Sequence, residues 1–157
     1  MTLDTADLGR RAEAMLDELA AISAEPDRLV RFFLSPEHRR AADLVAQLAR
    51  ELKTPLQIGE NFNGPQDVEL ALDARACDLV MPDVARIGGV SGWLQAATTA
   101  AARGVPVSSH LMPELSGHLL AATPTCHWLE YVDWADVLVQ EPLRIDRGRA
   151  IVPDRPG

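Results

Sequence analysis

Four ionisable residues stand at the ends of short apolar runs: Glu60 after Leu56-Gln57-Ile58-Gly59, Asp83 after Leu79-Val80-Met81-Pro82, His110 after Val105-Pro106-Val107-Ser108-Ser109, and Glu130 after Trp128-Leu129. They are separated by 23, 27 and 20 residues, close to one strand-plus-helix unit each time. If each run is a strand and each intervening stretch a crossover helix, the four side chains emerge on one face. Barrels built from such units place their catalytic groups there. The rim would carry three carboxylates and an imidazole, the groups from which proton-transfer sites are assembled. The plainer alternative is that each residue marks a strand's exit into solvent; four apt residues at four successive exits weigh against it.

The intervening sequence supplies the helices this arrangement needs. Gly64-Pro65 opens one with Val68 and Leu72 on its inner face, an Ala-rich stretch runs from about Ser91 to Arg103 and stops at Gly104, and a shorter helix is expected from Glu114 to Ala122 before Pro124. Asp78 to Asp83, Val105 to His110 and Trp128 to Tyr131 then read as strands alongside the first run, Leu56 to Asn61. Upstream, residues 1–52 read as a helical segment. Leu8, Ala12, Met15, Leu16 and Leu19 recur at helical spacing beneath a charged face, with Asp4 or Thr5 as the cap. A second helix starts at Ser35-Pro36-Glu37 and carries Ala41, Leu44, Val45, Leu48 and Leu52 to the stop at Lys53-Thr54-Pro55. Near the C-terminus, Val137-Leu138-Val139 and Ala150-Ile151-Val152 suggest two short strands around a turn at Arg147-Gly148. The fold class is α/β: a partial (β/α) barrel of about four parallel strands with crossover helices, preceded by two N-terminal helices, with the boundary between 52 and 53. At 157 residues the chain holds only part of a barrel that typically takes about 250.

Charge and composition narrow the partners. A net charge of −8 with the 15 basic residues scattered argues against a nucleic-acid partner. No apolar run approaches the roughly 20 residues that cross a bilayer, and the start is neither basic nor apolar, so no membrane partner and a cytoplasmic location are expected. Cys77 and Cys126 lack ligand spacing and read as free thiols. His118 and His127 read as structural, His38 as a solvated helix residue, Glu114 as first-turn helix charge, and Asn61 as a residue that could steady Glu60.

Residues from about Leu48 to Gly157 resemble the C-terminal half of the mandelate racemase branch of the enolase superfamily. The likeness rests on Gln57-Ile58-Gly59-Glu60-Asn61, on Met81-Pro82-Asp83 followed by Arg86-Ile87-Gly88-Gly89-Val90-Ser91-Gly92-Trp93, on Ser108-Ser109-His110-Leu111, and on His118 to Pro124 leading to His127-Trp128-Leu129-Glu130. The resemblance implies Mg²⁺-dependent removal of the proton α to a carboxylate on a small-molecule 2-hydroxy acid, of racemase or acid-sugar dehydratase class. It makes Glu60 the third carboxylate ligand of the Mg²⁺, His110 the base, Asp83 its partner, and Glu130 a hydrogen-bond donor to the substrate carboxylate.

The chemistry is self-consistent, because the enediolate dianion so formed needs immediate stabilisation by cationic charge or strong hydrogen bonds. Enolase-type sites are themselves among the standard examples of a Lys or His base working with Mg²⁺. Asp83 would fix the tautomer of His110 and favour the imidazolium formed on proton capture. Glu130 donates only when protonated, which calls for a dry or like-charged setting, and its neighbours Trp128, Leu129 and Tyr131 point to partial burial. Glu60 is a suitable hard ligand but insufficient alone.

The family's two other acidic ligands and its Lys-x-Lys base belong upstream of residue 55, where this sequence does not have them. Its single lysine, Lys53, precedes the first strand, so no second base faces His110. Residues about 8–45 instead resemble the N-terminus of allantoate or N-carbamoyl-amino-acid amidohydrolases, in Leu19-Ala20-Ala21-Ile22-Ser23 and Phe33-Leu34-Ser35-Pro36-Glu37-His38-Arg39-Arg40-Ala41-Ala42-Asp43. A fusion or deletion product joined between Val45 and Arg50 is the expectation. Three functional readings follow: an enolase-superfamily enzyme segment; an inactive remnant serving as a structural or binding module, self-associating through exposed sheet edges as a homo-oligomer; and, on the N-terminal likeness alone, an amidohydrolase-like protein.

Overall fold

The computed structural model describes residues 5–133 and 135–154 and divides into two compact units, one ending at Thr54 and one starting at Pro55. The first contains α1 (Thr5–Ala20) and α2 (Pro36–Leu52). Asp4, a candidate cap, and the side chains of Thr5 and Leu8 lie outside the described residues. Helix α2 begins as its sequence dictates: the Ser35 hydroxyl accepts from the His38 N–H at 3.2 Å and Pro36 occupies the first turn, where no N–H is needed. It ends on Lys53 in the left-handed conformation.

Between the helices, Arg31 donates from Nε to the Ile22 carbonyl at 2.7 Å and from a second nitrogen to the Leu19 carbonyl, placing a cation at the C-terminal end of α1. The apolar stripes of this unit are only partly buried. Ile22, Ala41 and Ala49 are inside, whereas Leu16, Val45 and Leu52 are exposed. Helical spacing alone made these helices; it did not guarantee a core. His38 is half-buried at the start of α2, where its Nδ1 accepts from the Leu34 N–H at 3.1 Å.

The second unit carries the βα alternation. Strand β1 (Gln57–Ile58), helix α3 (Pro65–Asp73), strand β2 (Leu79–Val80), helix α4 (Gly89–Ala102) and helix α5 (Pro113–Ala121) follow in order. β1 and β2 are parallel, with Gln57 opposite Leu79 and Ile58 opposite Val80. The expected third and fourth strands are present as extended segments joined by isolated parallel bridges, Val80 to Val107, Asp83 to His110, and Val107 to Cys126. Their backbone bonds run across the set: Ser108 N–H to Val80 O at 2.9 Å, Val107 N–H to Thr125 O at 2.8 Å, and Ser109 N–H to Trp128 O at 3.0 Å.

The ladder is shorter than the apolar runs suggest because Pro82 and Pro106 sit within it and lack donors. The fourth segment pairs through residues 125–128 rather than from Trp128 to Tyr131, a shift toward the N-terminus of the expected run. The C-terminal hairpin also differs. Its strands are β3 (Arg144–Asp146) and β4 (Arg149–Ile151) around the expected Arg147-Gly148 turn, and both turn residues have positive φ, as tight hairpins require. Val137 and Leu138 form an exposed 3₁₀ turn instead, and no strand among the described residues pairs with them.

The core of this unit consists of Val68, Leu72, Val80, Val84, Ile87, Trp93, Ala96, Ala97, Ala100, Val107, Leu119 and Leu120. Alanines on one face of α4 let α3 approach closely, and fully buried Trp93 fills the remaining space. Its indole N–H donates to Thr123 Oγ1 at 3.1 Å, and that hydroxyl donates to the Leu119 carbonyl at 2.8 Å, so no polar atom of the side chain is left unpaired. Gly92 is obligatory at the start of α4, since a Cβ there would collide with the Ile87 carbonyl.

Candidate active site

The site is assembled where the parallel segments end. Asp83 and His110 form a bridge pair on adjacent segments, so backbone pairing alone sets their side chains side by side. His110 Nδ1 lies 2.9 Å from Asp83 Oδ2. Asp83 is buried, and its other oxygen accepts the Ala85 N–H at 2.7 Å, which fixes the carboxylate plane. With an ionised Asp83 as acceptor, Nδ1 carries the proton and Nε2 faces outward.

Glu60 follows the close contact at Gly59, where φ is +140° and a Cβ would sit 2.9 Å from the Met81 nitrogen; only glycine lets β1 turn there against its neighbour. The Glu60 Oε2 lies 3.4 Å from His110 Nε2, and its Oε1 accepts from Asn61 Nδ2 at 3.0 Å. The imidazole is thus flanked by two carboxylates, one buried and one half-exposed.

The fourth residue, Glu130, joins the same rim by a different contact. Its Oε2 accepts the Leu111 N–H at 2.7 Å, and its own N–H donates to the Ser109 hydroxyl at 3.0 Å. The structure therefore brings Glu60, Asp83 and His110 into direct contact and ties Glu130 to the residue that follows His110. Glu130 is half-buried, the partial burial its neighbours pointed to, with Leu129 packed against the core while Trp128 is 68% exposed and Tyr131 41%. His127 sits 3.3 Å from the Ser108 hydroxyl and is exposed, as is His118.

Sequence spacing did not reveal Ser109, Leu111 and Ser116. Leu111 and Met112 are non-glycine residues with φ of 52° and 48°, each costing roughly 1–3 kcal/mol unless its surroundings hold it. The Ser108-Ser109 pair before His110 was the available signal, because buried hydroxyls need partners.

The donor set does not by itself accommodate Mg²⁺. Octahedral oxygen coordination needs several ligands; among the described residues of the rim both Asp83 oxygens are spent on His110 and Ala85 and one Glu130 oxygen on the Leu111 N–H, which leaves Glu60 and the other Glu130 oxygen as carboxylate donors. Among the described residues no group of three or more His, Cys, Asp or Glu side chains could hold a metal ion. No helix among them is long and apolar enough to cross a membrane.

A half-barrel rim with a histidine clasped by an aspartate defines a class, and comparison with known proteins defines it further. The family described as enolase C-terminal domain-like matches residues 30–157, and the chain belongs to that family. It is 38% identical over 112 residues to the L-talarate/galactarate dehydratase of Salmonella typhimurium, covering 71% of this chain and 28% of that protein.

Among solved structures it is similar to an enolase with bound Mg from the alphaproteobacterium BAL199, at 48% identity and a TM-score of 0.71, covering 93% of this chain and 39% of that one. It is also similar to an enolase from Bradyrhizobium complexed with magnesium and mandelic acid, at 39% identity and a TM-score of 0.65, covering 71% and 31%. The chain spans about a third of the length of the curated relatives it matches. The match from residue 30 takes in all of α2, upstream of the expected junction at Val45 to Arg50. The amidohydrolase resemblance finds no support.

Proposed function

We propose that the chain carries the histidine arm of an enolase-superfamily site that abstracts the proton α to the carboxylate of a 2-hydroxy acid, in an acid-sugar dehydratase or a racemase. The observation that carries this reading is the contact of His110 Nδ1 with Asp83 at 2.9 Å, which leaves Nε2 on the Glu60 side of the ring, 3.4 Å from that carboxylate. In the proposed step the substrate Cα–H bond breaks, its proton passes to His110 Nε2, and its electron pair is delocalised into the carboxylate as an enediolate. Asp83 holds the Nδ1 proton and stabilises the imidazolium. Reprotonation of the enediolate gives racemisation; departure of the β-hydroxyl as water, with the proton returned by the His110 imidazolium, gives dehydration to the enol of a 2-keto acid. Glu130 is assigned to the substrate carboxylate. Glu60 is assigned as one oxygen ligand of a Mg²⁺ ion whose remaining ligands the described residues do not supply, and the proton transfer is assigned to His110 and Asp83 alone. Relatives named for galactarate dehydration and one complexed with magnesium and mandelic acid support the substrate class.

The catalytically inactive module remains the competing reading, favoured by a rim in which no three His, Cys, Asp or Glu side chains among the described residues could hold a metal ion. The two are separated by following the α-proton signals of galactarate and of mandelate by NMR in D₂O with Mg²⁺ present. The enzyme reading expects slow loss of the signal with the wild-type chain and a fall of about 10²–10⁴-fold in His110→Asn. Exchange that is unchanged in the variant removes His110 from the mechanism, and none in the wild type leaves the module reading.

A further inference from the structure

A base works only if its ring is held at a fixed angle, and the chain just after His110 is where this structure stores conformational strain. Leu111 and Met112 are consecutive left-handed residues without glycine. Met112 also occupies the N-cap of α5, where an extended residue with a capping side chain is usual, and it makes no such bond. Such a pair persists only when its neighbours over-determine it.

The partners are identifiable. The Leu111 N–H donates to Glu130 Oε2 at 2.7 Å, and the Leu111 carbonyl accepts from the Ser116 hydroxyl at 2.9 Å. The Met112 carbonyl accepts the N–H groups of Leu115 at 3.1 Å and of Ser116 at 2.8 Å. Ser116 is fully buried. A serine inside a helix ordinarily returns its hydroxyl to the carbonyl four residues back. Ser116 reaches five back, past the helix start, to a residue of the loop. On the other side of His110, its own N–H donates to the Pro82 carbonyl at 3.3 Å.

We infer that Ser116 is a positioning residue for His110, acting with Glu130 to clasp Leu111 by its carbonyl and its N–H at once. The inference rests on the reading of His110 as the base. The Leu111 N–H belongs to the peptide plane that begins at the His110 carbonyl, so the Glu130 bond sets His110 ψ. The Ser116 bond keeps Leu111 in the left-handed state that lets its N–H meet Glu130. With the Pro82 bond fixing the preceding plane and Asp83 fixing the ring, His110 has no free torsion. The Glu130 oxygen facing Leu111 is an acceptor here, which leaves the other oxygen, Oε1, for a substrate.

The test is spectroscopic and needs no turnover, so it stands even if the wild-type chain proves inactive. In the 157-residue chain labelled with ¹³C and ¹⁵N, the Leu111 amide signal is expected to be exchange-protected and to be less protected in Glu130→Gln, whose neutral amide oxygen is a weaker acceptor. Ser116→Ala is expected to keep the Trp93 indole signal and cooperative melting. It should raise Leu111 amide exchange about tenfold, the equivalent of one hydrogen bond, and displace the His110 ring signals in the same direction as Glu130→Gln. Ser116→Cys, nearly isosteric with a weak donor, should fall between. Leu111 exchange within twofold of wild type and unmoved His110 signals in Ser116→Ala would overturn the inference. Should Ser116→Ala not fold, the same two readings in Ser116→Cys decide.

Discussion

Around Trp93 the surroundings are apolar and the one polar atom of the side chain is paired with Thr123; around His110 the surroundings are two carboxylates, a clasped left-handed loop and open rim. Both lie in the second unit, and both are well determined, by opposite means. The core is fixed by volume, which any apolar set of the right shape supplies. The rim is fixed by directional bonds, each of which has one geometry. Conformations that cost energy, such as those of Leu111 and Met112, persist because helix α5, which anchors Ser116, is itself packed through Leu119 and Leu120 into the core.

The contrast can be broken most severely from the core side. Trp93→Ala is expected to lower unfolding free energy by about 3–5 kcal/mol, read from urea denaturation; a loss below about 1 kcal/mol would mean that the core is not organised around this ring. Asp83→Asn attacks the rim instead. The amide can keep the Ala85 bond, but its NH₂ would face Nδ1 and force the proton onto Nε2, so α-proton exchange should fall by about 10²–10⁴-fold. Its melting temperature should move far less than that of Trp93→Ala, and equal losses of stability would erase the distinction drawn here.

A smaller effect sharpens the boundary between the regions. Burial pushes the Cys77 thiol up, and the neighbouring Asp78 carboxylate pushes it the same way, so less thiolate is present at a given pH. Cys77 packs against the core whereas Cys126 is exposed. Iodoacetamide should therefore label Cys126 first, and Asp78→Asn should speed Cys77 only about two- to threefold, because desolvation is the larger cause. Mass spectrometry of the two peptides checks both statements.

Much of this was legible along the chain. The Ser35-Pro36 start and Lys53 stop of α2, the Pro65 and Gly104 limits of α3 and α4, and the inward Val68 and Leu72 follow from local rules of capping and periodicity. So does the bringing together of Glu60, Asp83 and His110, since equal βα spacing puts strand ends in one place. The strand lengths were not legible, because an apolar run shows where a segment is extended and not how many of its N–H groups find carbonyls once prolines interrupt it. Leu16 and Val45 show a related limit: periodicity defines a face, and burial depends on what covers it.

Sequence by itself therefore carried the enolase-superfamily likeness, the order of helices and extended segments from Leu56 to Glu130, and the meeting of Glu60, Asp83 and His110. Those properties depend on residue type and spacing, which are local. Only the tertiary structure decided that Glu60 turns an oxygen toward His110 and that Glu130 binds the Leu111 N–H. It also decided that Ser116 closes the clasp from α5. Each of these is a bond between separate segments, with a geometry of a few tenths of an ångström that packing imposes and no pattern of residues along the chain encodes.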